Sequence, residues 1–243
     1  ASDADREAAA LRQLNDRDIY LVAPQGAMNM AASSTKPASA GGQATTSLPE
    51  LIRQADRALQ NGDLDTAMAG FDQAIARSTG TQAADLRLRR AAVRTAQQDN
   101  AGALRDVEAA IAQSPGSIQA HMLQGNILLA MGRPTGAESA FSQALALDRT
   151  TVGTWTGRAS ARSQLGKYAD ALSDIDQAIA LNPQEPDLFQ SRANLLERLG
   201  RTHDMRAVAH DVVAQNQDDD YAWVVSARIL NHLEDRPAAL AAL

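Results

Sequence analysis

The sequence predicts an all-α protein built as an array of stacked helix hairpins, and three observations carry that prediction. Trp155, Phe189 and Trp223 stand 34 residues apart at equivalent places in successive segments. Gly132, Gly166 and Gly200 keep the same interval at a turn, and Ala103, Ala137 and Ala171 keep it ahead of the aromatics. With 8 prolines in 243 residues and abundant alanine, long stretches run without a helix breaker. A period of this length belongs to architectures in which each unit packs only on its neighbours, so chain length counts units rather than domains.

Residues 1–24 stand outside the repeat. Asp3 to Asn15 has helical composition, and Asp18, Ile19, Tyr20, Leu21 and Val22 read as a short strand stopped by Pro24. Residues 25–46 are largely Ala, Ser, Thr and Gly around Lys36 and Pro37, the composition of a flexible linker suited to lying in the array's own groove. Ser47, Leu48, Pro49 and Glu50 read as a capping box with an early proline, in which the serine oxygen and the glutamate satisfy first-turn amides.

The array covers 47–243, with units over about 48–79, 84–115, 118–149, 152–183 and 186–217 and a partial sixth over 220–243. The first interval is two residues longer than the others, which places an insertion in the loop Ser78, Thr79, Gly80, Thr81. Small residues recur where helices must touch: Ala55, Ala91, Gly125, Ala159, Ala193 and Ala227 on first helices, and Ala67, Ala103, Ala137, Ala171 and Ala239 on second helices. A larger side chain there forces two backbones apart.

The fourth unit collects the pattern most fully, as Trp155, Ala159, Leu165, Gly166, Tyr168, Ala171, Ile175, Ala178, Ile179 and Pro183. This order of large, small, turn glycine, second-helix alanine and final alanine resembles the tetratricopeptide repeat (TPR). Departures fall at Arg87 in the second unit, Met205 in the fifth and Glu234 in the sixth. The resemblance implies a right-handed α-α superhelix, a TPR solenoid of about five and a half helix pairs preceded by the short helix and strand. It also implies a concave face lined by first helices that takes an extended peptide or partner helix, and it implies no catalysis, so the chain is read as a non-enzymatic scaffold. Relatives that clamp a C-terminal carboxylate place lysine and asparagine in the first unit, where this chain has Ile52 and Asp56. That clamp is therefore excluded.

By the family's geometry the groove-facing positions are Ile52, Asp56 and Leu59, then Leu88, Ala92 and Thr95, then Met122, Asn126 and Leu129. The later units give Thr156, Ser160 and Ser163, then Gln190, Asn194 and Glu197, then Val224, Arg228 and Asn231. The groove reads as two-toned: aliphatic with an adaptable methionine in its N-terminal half, rich in amides and hydroxyls in its C-terminal half. Asn126 and Asn194 can bond a peptide unit without reading its side chain, because a carboxamide both donates and accepts. The alternative is that they tie first helices together or face water.

Other candidate chemistry is sparse. His203 and His210 are seven residues apart, about 10.5 Å along a helix, too far to share one metal. His121 occupies the slot of Trp155 and Phe189, which favours packing. Arg90, Arg158 and Arg192 share one unit position, as do Arg94 and Arg162; they form either a ladder for an acidic partner or, as the favoured reading, internal pairs with Asp106, Glu108 or Asp174. Asp218, Asp219 and Asp220 read as a helix cap. With no cysteine there is no disulfide or thiol nucleophile, and no phosphate loop, nucleophile elbow or zinc-hydrolase motif occurs. The expectation is no cofactor and no metal.

The net charge of -6 disfavours nucleic acid, and no apolar run approaches the ~20 residues of a membrane span. The expected partner is a protein or peptide. The start at Ala1 rather than Met predicts removal of a methionine, a signal or a preceding domain, and 21 arginines against two lysines point to a GC-rich bacterial genome. Two further readings stay open. The chain is either the C-terminal arm of a larger bacterial envelope protein, a layout that resembles transglutaminase-like proteins, or an array that self-associates through its apolar end at Leu240 and Leu243.

Overall fold

The computed structural model describes residues 46–233, which form eleven α-helices and no strand among the described residues. In order they are α1 (Leu48–Gln60), α2 (Leu64–Ala76), α3 (Gly80–Ala96), α4 (Asn100–Gln113), α5 (Ile118–Ala130) and α6 (Pro134–Leu147). They continue with α7 (Val152–Gln164), α8 (Tyr168–Leu181), α9 (Pro186–Arg198), α10 (Thr202–Gln215) and α11 (Asp220–His232). Successive helices pack as antiparallel hairpins, and each hairpin packs on the next to build an α-α superhelix. The helix and strand expected over 1–24, the linker up to residue 45, and Leu240 and Leu243 lie outside the described residues.

Each hairpin turns on one residue in the left-handed region. Gly62, Gly132, Gly166 and Gly200 have φ of +77°, +65°, +73° and +69°, and Gln98 takes the fifth turn at +63°. The amide that follows each of them reaches five residues back, as in Asp63 to Ala58 and Lys167 to Arg162 at 2.8 and 2.9 Å. These bonds close Schellman-type ends that satisfy first-helix carbonyls, and glycine suits them because it has no Cβ to clash.

Two local expectations are corrected. Ser47 does precede α1, but its side chain makes no cap bond, and Glu50 turns instead to Arg53 and Gln54 on the next turn. A cation and an amide at i+3 and i+4 outcompete the reach back to the cap. The two extra residues of the first interval do not lengthen a loop either. Gly80 and Thr81 open α3, which has 17 residues against 13 in α1 and α5. Buried Ala83 and Ala84 hold this additional turn in place.

The recurrent small residues sit where helices cross. A Cβ at Gly70 would meet Ala55 Cβ at 2.8 Å, and one at Gly125 or Gly157 would meet the Phe141 ring at 2.7 or 2.5 Å. Phe141 is fully buried in the space those two glycines leave. Met205, standing where other units have alanine, is buried in the fifth hairpin, and α9 and α10 pack less closely on each other than any other hairpin pair.

The apolar interior divides into three clusters. The first joins α1, α2 and one face of α3 through Leu51, Phe71, Leu86 and Val93. The second runs from the other face of α3, at Ala84, Leu88 and Ala91, to Ala161 on α7. The third runs from Ala159 on α7 to Leu230 on α11. The clusters thus change over on α3 and α7.

Candidate functional site

The recurrent arginines pair within the chain. Arg90 grips Asp106 through two nitrogens, one bond being 2.8 Å, and reaches Asp72 on α2 at 2.6 Å, while Arg94 contacts the same Asp106 at 2.9 Å. Two repeats later Arg158 grips Asp174 at 3.0 and 2.7 Å and Arg162 joins it at 2.8 Å. Arg162 also reaches Glu138 on α6 at 3.0 Å, and Lys167 meets Glu138 at 2.7 Å. Asp106 and Asp174 are 4% and 1% exposed, so each buried carboxylate is satisfied by two guanidinium groups. Bonding to Asp106 raises the Arg90 pKa further above its already basic range, and the Lys167 bond, with help from Arg162, holds Glu138 below its ordinary 4.5. Arg192 pairs with Asp176 at 2.9 Å, and Arg89 bonds Asp56 at 2.7 Å.

With those groups committed, the open polar surface lies between α7 and α9. Thr156, Ser160, Ser163 and Gln164 share one face of α7, and Ser191, Asn194 and Arg198 share one face of α9, at helical spacing. Together they rim a cavity of about 370 Å³. Its floor is apolar: Ala159 from α7, Leu195 from α9 and Ile175 from α8, all buried. Serine, threonine and asparagine are poor choices for helix interiors on propensity alone.

The rim is partly self-bonded. Ser191 Oγ donates to the Asp187 carbonyl at 2.9 Å, and Thr156 Oγ1 to Gly153 at 3.2 Å. Gln190 Nε2 donates to Asn194 Oδ1 at 3.0 Å, and the NH₂ of Asn194, which lines the cavity, has no partner among the described residues. Arg198 carries no bond among the described residues and stands at the rim.

The structure brings Thr156, Ser160, Ser163 and Asn194 together around this cavity. The other sequence-derived positions are dispersed. Ile52 and Leu59 lie half-buried on the first apolar cluster, and Leu129 on the second. Leu88 is buried in that second cluster. Met122 is half-buried, with its Cε 3.6 Å from where a Cβ would stand at Gly153. Asn126, Arg228 and Asn231 are exposed, and Val224 is buried. Glu197 meets His232 Nε2 at 2.8 Å. Gln164, Ser191 and Arg198 escaped the sequence reading because it carried over three positions per first helix; the helix face is wider, and one turn on either side of Asn194 finds Ser191 and Arg198.

His121 is buried, and its Nε2–H donates to the Pro115 carbonyl at 2.9 Å; the carbonyl only accepts, which fixes the tautomer. Trp155 does the same, its Nε1–H reaching the carbonyl of Arg149 six residues upstream at 2.8 Å. Asp219 caps α11 by accepting from the Tyr221 amide at 2.9 Å. His203 and His210 line a second cavity of about 620 Å³ with Thr202, Asp204, Arg206, Ala207 and Leu233, and no set of three metal-ligating side chains occurs among the described residues. Among those residues no helix is long and apolar enough to cross a membrane.

A family model described as a tetratricopeptide repeat-like domain matches residues 25–155, and one described as a tetratricopeptide repeat matches 156–204. Among solved structures, the MamA protein is 14% identical, with a TM-score of 0.63 over 69% of this chain and 91% of MamA. A tetratricopeptide repeat protein from Parabacteroides merdae is 18% identical, with a TM-score of 0.60 over 81% of this chain and 76% of its own. YrrB, described as a TPR protein with an unusual peptide-binding site, is 16% identical, with a TM-score of 0.60 over 74% of this chain and 92% of its own. At these identities the likeness concerns the fold. No curated protein matches the chain.

Proposed function

The chain belongs to the tetratricopeptide repeat family, and on that premise we propose that it is a non-catalytic scaffold holding an extended segment of another protein between α7 and α9. The observation that carries this reading is the cavity itself, where hydroxyls and a carboxamide from two first helices converge over an apolar floor. Such a surface can bond a peptide backbone through Asn194, Ser160 and Ser163 while a small side chain enters below. YrrB, a structural neighbour described as having a peptide-binding site, supports a peptide as the class of ligand. Each polar contact contributes about 0.5–1.5 kcal/mol net, so several are needed together.

The test is display selection of short random peptides on the intact chain, followed by titration of the winners. Ser160→Trp, which fills the cavity, abolishes binding, and Asn194→Ala weakens it roughly two- to tenfold. Asn126→Ala, outside the cavity, leaves it unchanged. Peptides that bind the Ser160→Trp chain as tightly as the native one would overturn the proposal.

A further inference from the structure

Resting on that reading, we infer that the bound segment presents an acidic side chain to Arg198, next to a small aliphatic side chain seated on Ala159, Ile175 and Leu195. From α7 through the turn after α9 there are six basic residues, and five are engaged. Arg158 and Arg162 hold Asp174, Lys167 holds Glu138, Arg192 faces Asp176, and Arg201 pairs with Asp204 at 2.6 Å. Arg198 alone of these has no partner among the described residues, and it is the one at the cavity rim.

The acids nearest to it in sequence do not serve it. Glu197 is turned to His232, and Asp204 is held by Arg201. The rest of the rim is uncharged, since Thr156, Ser160, Ser163, Gln164, Ser191 and Asn194 offer only hydroxyls and amides. The cavity therefore presents a single uncompensated positive charge above an apolar floor, and a carboxylate is the complement of a planar guanidinium. The chain's own segment over 25–46 does not fit, because its one charged residue is Lys36. The occupant inferred is a segment of another protein bearing aspartate or glutamate; changing the acids of the chain's own ends, such as Asp16, Asp18 and Glu234, to amides then leaves peptide affinity unchanged.

The experiment selects short random peptides on the native chain, on Arg198→Gln and on Arg198→Glu. Aspartate or glutamate at a fixed distance from a small aliphatic residue is enriched on the native chain. This enrichment disappears on Arg198→Gln and gives way to lysine or arginine on Arg198→Glu. A selected peptide remade with asparagine or glutamine in place of its acid binds roughly three- to fivefold more weakly to the native chain, and the difference shrinks in high salt. Enrichment without acids, or acids that stay enriched on Arg198→Gln, sinks this inference; if Ser160→Trp still blocks those peptides, the groove reading stands. Peptides indifferent to Ser160→Trp, or no selectable peptide, bring down both.

Discussion

Gln98 adopts the conformation that glycine holds at the other four hairpin turns, with φ of +63°. A side chain there brings Cβ toward the following carbonyl at a cost of about 1–2 kcal/mol, while glycine costs ~0.5–1 kcal/mol in unfolded-state freedom. The difference favours glycine. Gln98→Gly is expected to raise unfolding free energy by about 0.5–1 kcal/mol in urea denaturation, and an unchanged or lower midpoint would refute the strain argument. His121 makes the complementary point. It stands in a tryptophan position and donates its ring N–H to the carbonyl six residues upstream, as Trp155 does. In these two units the slot holds a flat ring with one donor at its tip, while Phe189 fills it by shape alone and Arg87 departs from it.

At the scale of the element, steric demands proved readable from sequence and local competition did not. Turn glycines and contact alanines recur because a fixed geometry repeats, so the all-α array of helix hairpins was legible from the period. The Ser47 cap was not, because the outcome depended on Arg53 and Gln54 bidding for the same carboxylate. The longer α3 escaped because its extra turn is held by tertiary burial of Ala83 and Ala84. Of the cavity rim, Thr156, Ser160, Ser163 and Asn194 were legible; Arg198 was not, since its interest comes from what its neighbours are bonded to.

The link between α6 and α7 also titrates. Glu138 is held below its ordinary 4.5 by Lys167 and Arg162, so its contribution is complete above that value and is lost as pH falls through the lowered native one. The native chain should therefore lose stability more steeply than Glu138→Gln on acidification below about pH 4.5. Parallel melting-temperature profiles of the two proteins would exclude Glu138 as the cause.

Across the whole molecule, the arginines that hold the two buried carboxylates of α4 and α8 stand on α3 and α7, the helices where the apolar clusters change over. Arg90 ties Asp106 to Asp72 on α2, and Arg158 and Arg162 tie Asp174 to Ser142 and Glu138 on α6. The array is thus three greasy blocks joined by two ionic seams. A solenoid's stability is carried by nearest-neighbour interfaces, so a cut seam should uncouple blocks rather than unfold everything at once. Asp174→Ala takes the carboxylate from Arg158 and leaves Arg162 with Glu138 alone, and is expected to cost about 3 kcal/mol. Amide exchange should quicken from α7 to α11 while α1 and α2 keep their protection. Uniform acceleration across all eleven helices would argue against separable blocks.

The Arg158 guanidinium lies 5.1 Å from the centroid of the Trp155 ring, and the next residue, Thr156, belongs to the cavity rim. A cation held over an indole face changes its emission when it moves away. The protein therefore carries a built-in optical reporter at the junction of its second seam and its candidate groove. Occupancy of one and rupture of the other can both be followed without a label by tryptophan fluorescence in a Trp223→Phe background, where Trp155 is the sole indole.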